Sequence, residues 1–233
     1  MGRFDSLKEQ AYQGNMDLYH HGLLLFTFGN VSVIDRQAGV VAIKPSGVPY
    51  PSLHPQDIVV LDLQGHIVEG VLKPSSDTPT HLVLYQHFTG IGAVAHTHSP
   101  YATAWAQAGR AIPVLGTTHA DYLPVPVPCT AFMEDEAIQK AYEIETGHQI
   151  TRTFATLSEQ EIEMVLVAGH GPFTWGKTVG SAVHNSVLLE ELAKIALWTA
   201  QINPDVKPLK KTLIEKHHRR KHGLNAYYGQ AES

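Results

Sequence analysis

The chain has 233 residues, long enough to bury a substantial core, and one domain is expected over 1–233. Its formal charge of −5 offers no general field for nucleic acid or an anionic membrane, so any anionic ligand must be held by a local pocket. A single cysteine, Cys129, excludes a disulfide or thiolate cluster within this chain and suggests a reducing compartment, whereas 15 histidines supply groups that titrate near neutrality and bind metals.

The opening MGRFDSLKEQ is too polar for a signal peptide, and no apolar run approaches the roughly 18 residues that cross a bilayer. A soluble, cytoplasmic protein is expected. Between residues 7 and 21, Ala11, Met16, Leu18 and Tyr19 give a ragged helical pattern that stops at Gly22. Four strand-like runs follow, LLLFTFGNVSVID, GVVAIKP, DIVVLDL and HIVEG, each bounded by Gly, Pro or Asp, which predicts a sheet built from local hairpin-type connections. TPTHLVLYQHF has helical spacing, GIGAVAHTH reads as a buried strand and YATAWAQAG as a helix closed by Gly109. The prolines of DYLPVPVPCT favour an extended loop. MEDEAIQKAYEIETG is helical, MVLVAGHG is a buried strand, and VGSAVHNSVLLEELAKIALWTAQI is the longest helix. A basic helix and a loose tail end the chain. This mixture predicts an α/β or α+β three-layer domain with many antiparallel neighbours.

On a strand, side chains at i and i+2 share a face, so His96 and His98 of AVAHTHSP converge while Thr97 points away. That geometry suits two ligands to one metal; the alternative is one exposed histidine and one satisfied in the core. His170, in VAGHGPF, is flanked by Gly169 and Gly171, which let the backbone approach something closely. Three histidines at strand ends would leave a coordination position open, as a catalytic Zn²⁺ requires.

KPSG (44–47) and KPSSD (73–77) are Lys-Pro-Ser turns whose hydroxyls, amides and lysine could hold a phosphate, although Pro, Ser, Gly and Asp also dominate ordinary turns. Asn30 could add an amide donor or mark a turn. Asp77 could be a helix cap, a metal ligand or a base, and Asp121 of GTTHADY a catalytic carboxylate or a turn residue. The tyrosines of NAYYGQ are packing anchors or proton-transfer groups, and EKHHRRKHG is a solvated helix face or local charge for an anionic substrate.

Together, FTFGNVS, IKPSGV, KPSSDTPTH, VAHTHS, GTTHADY, VAGHGPFTWG and KHGLNAYYGQ resemble the class II aldolase/epimerase family, in the family's order and over nearly the whole chain. Asp77 after the paired serines is similar to the pentose-phosphate 4-epimerase branch, since the fuculose-phosphate-type aldolases carry Glu there. The resemblance implies a three-layer α/β/α domain with a largely antiparallel central sheet. It also implies a homotetramer with active sites at subunit interfaces, a tail (about 217–233) that reaches the site, and one Zn²⁺ per subunit. By position, it makes His96, His98 and His170 zinc ligands with Asp77 at or beside the metal. Gly29, Asn30, Lys44, Ser46, Gly47, Ser75 and Ser76 become substrate and phosphate contacts. Asp121 and Tyr228 become the acid/base pair, with His217 and Arg220 near the site. The implied activity is interconversion of L-ribulose 5-phosphate and D-xylulose 5-phosphate by cleavage and re-formation of the C3–C4 bond. The implied partner is a small sugar phosphate, with neither nucleic acid nor membrane. A related zinc aldolase is the alternative.

Overall fold

The computed structural model describes residues 2–222 together with 226 and 227. Helix α1 (Asp5–His20) leads into strands β1 (Asn30–Asp35), β2 (Val40–Ile43), β3 (Val59–Asp62) and β4 (Ile67–Glu69). Helix α2 (Thr78–His87), strand β5 (Ala93–His96), and helices α3 (Pro100–Gln107), α4 (Thr117–Ala120) and α5 (Asp135–Thr153) follow. Strands β6 (Met164–Leu166) and β7 (Pro172–Gly176) precede helices α6 (Val179–Ile202) and α7 (Lys211–Lys221). The strands form one sheet in the order β4-β3-β2-β1-β5-β7-β6, every neighbouring pair antiparallel.

The two-residue period of the strands decides which helices cover which face. Val31, Val33, Val40, Ala42, Ala93 and Ala95 form one core with Leu7, Ala11 and Leu18 of α1 and Ala182 and Val183 of α6. Ile34, Val41, Val94, Phe173 and Trp175 alternate with them and form a second core with Leu84 and Tyr85 of α2 and Ile150 of α5. Helices on both faces of an antiparallel sheet give the expected three-layer α/β/α arrangement.

Four local features depart from the sequence reading. The apolar run 23–29 is not strand: Phe26 (φ 56°) and Gly29 (φ 76°) take left-handed conformations, and pairing begins only at Asn30. PFTWG, too short and too close to glycines to stand out, forms β7. The GTTHADY segment is a short helix with Asp121 at its C-terminal end. Helix α5 runs on to Thr153 but is broken at Ala141 (φ −161°, ψ 68°). The proline-rich stretch is a loop that turns and bends through 121–125 and is extended only beyond, where single bridges tie Val127 to Ile112 and Cys129 to Leu166.

Register carries this architecture to the candidate site. Pairing of β1 with β5 sets Asn30 opposite His96, and pairing of β5 with β7 sets His96 opposite Phe173.

Candidate metal centre and phosphate pocket

His96, His98 and His170 converge, with one ring nitrogen from each lying within 4.8 Å of the other two. His96 closes β5, His98 lies two residues on, and His170 sits in the turn between β6 and β7. Both flanking glycines are needed there. Gly169 has φ 74°, and a Cβ on Gly171 would lie 2.9 Å from the carbonyl oxygen of Thr97.

The His96 Nδ1–H donates to the carbonyl oxygen of Pro172 at 2.9 Å, leaving Nε2 as a lone pair 3.1 Å from Nε2 of His98. A tetrahedral ion bound at about 2.0–2.1 Å holds neighbouring nitrogens about 3.4 Å apart, so the pair is spaced for a shared cation. Burial drives the His96 pKa down to about 3, with the neighbouring histidines adding to the effect and Asp77 opposing it. Burial also lowers His98 and His170. All three are neutral imidazoles at physiological pH, the form that binds a metal without first losing a proton. The donor set therefore fits a divalent transition metal.

Asp77 occupies the N-cap position of α2, yet its side chain makes no capping bond. Its Oδ2 instead accepts from the Asn30 amide at 2.7 Å and lies 4.0 Å from Nε2 of His96. Burial opposes ionisation of Asp77, but His96, His81 and the Asn30 amide outweigh it and hold the carboxyl below its usual value. The Asn30 amide also donates to Ser75 Oγ at 3.0 Å, joining the metal side of the site to the serine loops.

The two Lys-Pro-Ser turns pair with each other. Pro45 and Pro74 form a bridge, Ser46 N donates to Lys73 O at 2.9 Å, and Ser75 N donates to Lys44 O at 3.0 Å. With Thr27, Phe28, Gly29, Asn30, Asp77, His98 and His170, the loop residues Lys44, Ser46, Gly47, Ser75 and Ser76 line a cavity of about 350 Å³. Gly29 is demanded twice over, by its φ of 76° and because a Cβ there would lie 2.7 Å from the carbonyl oxygen of His96.

Lys44 is fully buried, its Nζ donating to Pro45 O at 3.2 Å and lying 4.7 Å from the centre of the Tyr50 ring. No carboxylate among the described residues lies within ion-pair distance of it. Burial lowers its pKa to about 8. A buried ammonium without a counter-ion, beside serine hydroxyls and a glycine turn, suits an anionic ligand.

Asp121, His217 and Arg220 form a second group that does not line this cavity. Arg220 grips Asp121 with Nε on Oδ1 at 2.8 Å and Nη2 on Oδ2 at 2.5 Å, while His217 Nδ1 lies 2.9 Å from Oδ1. His222 adds a bond to the Asp121 carbonyl oxygen at 2.9 Å. Tyr228 lies outside the described residues.

Sequence reasoning missed three residues around the histidines. Phe28 lines the cavity, its ring centre 5.9 Å from that of His98. Tyr142 Oη is 3.3 Å from His170 Nδ1. His81 is buried and bonded through Nδ1 to Ser32 Oγ at 2.7 Å. Its Nε2, like Asn30 Oδ1, finds no hydrogen-bond partner among the described residues. Phe28, beside Gly29 and Asn30 in FTFGNVS, and His81, the last residue of KPSSDTPTH, lay in motifs that could have exposed them, whereas Tyr142 lay in none.

Residues 9–197 match the family model described as Class II Aldolase and Adducin N-terminal domain. The chain is 52% identical over 224 residues to the L-ribulose-5-phosphate 4-epimerase UlaF of Salmonella paratyphi C (strain RKS4594), covering 96% of this chain and 98% of the relative. Among solved structures, an L-fuculose 1-phosphate aldolase superposes with a TM-score of 0.77 at 26% identity, covering 92% of this chain and 95% of its own. The putative aldolase/epimerase/decarboxylase YgbL of Klebsiella pneumoniae superposes with a TM-score of 0.69 at 25% identity, covering 91% and 97%. With its motifs in order, its three-layer sheet and its histidine cluster, the chain belongs to the class II aldolase and adducin family.

Proposed function

We propose that this protein is a metal-dependent 4-epimerase interconverting L-ribulose 5-phosphate and D-xylulose 5-phosphate. The observation that carries the reading is a cluster of three neutral imidazoles, two of which, His98 and His170, line the same cavity as the buried Lys44 and the paired serine turns. The 52% identical 4-epimerase and the aspartate after the paired serines favour epimerisation over the aldolase alternative, in which the fragments are released.

The chemistry explains why such a site is required. The C4 hydrogen of a 2-ketopentose phosphate is not acidic, because no carbonyl adjoins C4. Cleaving C3–C4 instead gives the enediolate of dihydroxyacetone and glycolaldehyde phosphate. When bound by His96, His98 and His170, with Asp77 at or beside it, a divalent ion, zinc in this reading, supplies Lewis acidity to the oxygens next to the breaking bond. Ser46, Gly47, Ser75, Ser76 and Lys44 hold the phosphate, so the aldehyde fragment stays bound while it presents its other face. Gly29 and Asn30 form the wall between that phosphate and the histidines.

Inversion requires proton transfer at the C4 oxygen from opposite sides, and Asp121 and Tyr228 are assigned that pair of roles. His217 and Arg220 keep the Asp121 carboxylate ionised and aimed. Because the Asp121 group does not line the cavity of its own chain, the reading includes a homotetramer in which one subunit's Asp121 and tail complete a neighbour's cavity. Among the described residues no helix is long and apolar enough to cross a membrane, in keeping with a cytoplasmic metabolic enzyme of one domain.

The reading is tested by incubating metal-analysed protein with L-ribulose 5-phosphate, following D-xylulose 5-phosphate and trapping any free aldehyde in parallel. Xylulose phosphate that vanishes on chelation and returns with zinc is the expected result. Free aldehyde without the epimer would establish the aldolase, and no product from metal-loaded protein would overturn the epimerase reading and direct the assay to related sugar phosphates.

Lys44 gives a separate prediction. Lys44→Met should raise KM about 10- to 100-fold, with a smaller effect on kcat, because one charge-assisted hydrogen bond to the phosphate is lost. In the unaltered protein Lys44 is charged below its pKa of about 8, so kcat/KM should fall as pH rises through that value. Steady-state kinetics at several pH values check both. An unchanged KM in the variant would take Lys44 out of phosphate binding.

A further inference from the structure

We propose that Tyr142 is a positioning residue for the metal centre, its hydroxyl oxygen accepting the Nδ1–H of His170 so that this ring presents Nε2 to the ion. The inference rests on the metal reading given above and assigns a residue that neither the motifs nor the cavity lining picks out.

Metal-binding histidines generally donate their second ring N–H to an outer partner that fixes tautomer and ring orientation. His96 has the carbonyl oxygen of Pro172 for this purpose, at 2.9 Å. Asp77 is held by the Asn30 amide at 2.7 Å. His170 sits between two glycines, where the backbone restrains its ring least, and the partner of its Nδ1 is the Tyr142 hydroxyl at 3.3 Å.

The placement of Tyr142 is built into α5. The helix is broken at Ala141, one residue before it. The break is stabilised by side chains: Thr146 Oγ1 donates to the Tyr142 carbonyl at 2.8 Å, and Thr80 Oγ1 of α2 donates to the Glu143 carbonyl at 2.6 Å. A Cβ on Gly147 would lie 2.6 Å from Cβ of Val83, so this part of α5 sits directly against α2. The helix that begins beside Asp77 thus also fixes the segment that holds His170. One pair of packed helices supports metal-side groups on both flanks of the cavity.

The test is the zinc affinity of Tyr142→Phe, measured by competition with a chromophoric chelator alongside the unaltered protein, together with the visible absorption of both proteins loaded with Co²⁺. Removing the hydroxyl while keeping the ring should weaken zinc about 10-fold and alter the cobalt bands, with the melting temperature of the metal-free protein unchanged. Equal affinity and identical cobalt spectra would overturn the proposal. Failure of the unaltered protein itself to bind zinc would sink the metal reading and this proposal with it, so the two failures are told apart by the same titration.

Discussion

His96→Asn should leave the protein folded, free of bound metal, and slower by about three orders of magnitude or more. His96 is the most constrained of the three histidines. It ends β5, is fully buried, stacks 4.1 Å from the centre of the Phe173 ring, and has its tautomer set by Pro172. An asparagine amide is shorter and a far poorer ligand for a transition metal than imidazole. It can still donate to a nearby carbonyl, so the buried site is not left grossly unsatisfied. Lewis-acid stabilisation is worth several kcal/mol, and each 1.36 kcal/mol is about a factor of ten in rate, which sets the size of the loss. Elemental analysis of the purified variant beside its turnover decides the matter, with circular dichroism as the check on folding. A variant retaining one metal per chain and full turnover would remove His96 from the ligand set.

The second large effect should come from Asp121→Asn, expected to lower kcat by about 10²- to 10⁴-fold, the range for loss of a general acid or base, with metal content at the unaltered level. Burial opposes the charge on Asp121, but the hydrogen bonds from Arg220 and His217 outweigh it, so the carboxyl is held below its usual value. It therefore remains ionised throughout the neutral range, ready to accept a proton. Asparagine cannot accept one, and it leaves the Arg220 guanidinium without its bidentate partner. A structural role alone would appear as a lowered melting temperature with kcat largely kept. A catalytic role appears as lost kcat in protein that still binds metal, and undiminished turnover would dismiss Asp121 from the mechanism.

Much of this site was legible because its chemistry lies in short, local patterns. The i, i+2 spacing brought His96 and His98 together before any tertiary contact was known, and the glycines around His170 marked a backbone that must pass close to a neighbour. The repeated Lys-Pro-Ser turns pointed to one pocket, and they pair across it. The sheet and its layers followed from strand periodicity, with errors where a local conformation overrode composition. The apolar run 23–29 contains two left-handed residues that no propensity scale places, and β7 is five residues long between glycine-rich turns. Asp77 illustrates a deeper limit. A carboxylate just before a helix reads equally well as a cap, and only the Asn30 amide, from a strand 47 residues earlier, turns it towards the histidines. Tyr142 was invisible for the same kind of reason, since its reach depends on a break in a helix.

The order of the strands has a consequence for how the protein acquires its activity during folding. The pairings β1 with β2, β2 with β3, β3 with β4 and β6 with β7 join neighbours in sequence, and such hairpins close short loops at small entropic cost. The pairings β1 with β5 and β5 with β7 instead bridge long stretches of chain. These two distant contacts bring Asn30 up to His96 and carry the His170 turn to the other histidines, while the Lys44 and Ser75 turns come together within the first half. The slowest contacts to form are therefore the ones that assemble the histidine cluster. On refolding, the paired Lys-Pro-Ser turns are expected to form before the histidines meet, so that secondary structure recovers ahead of turnover.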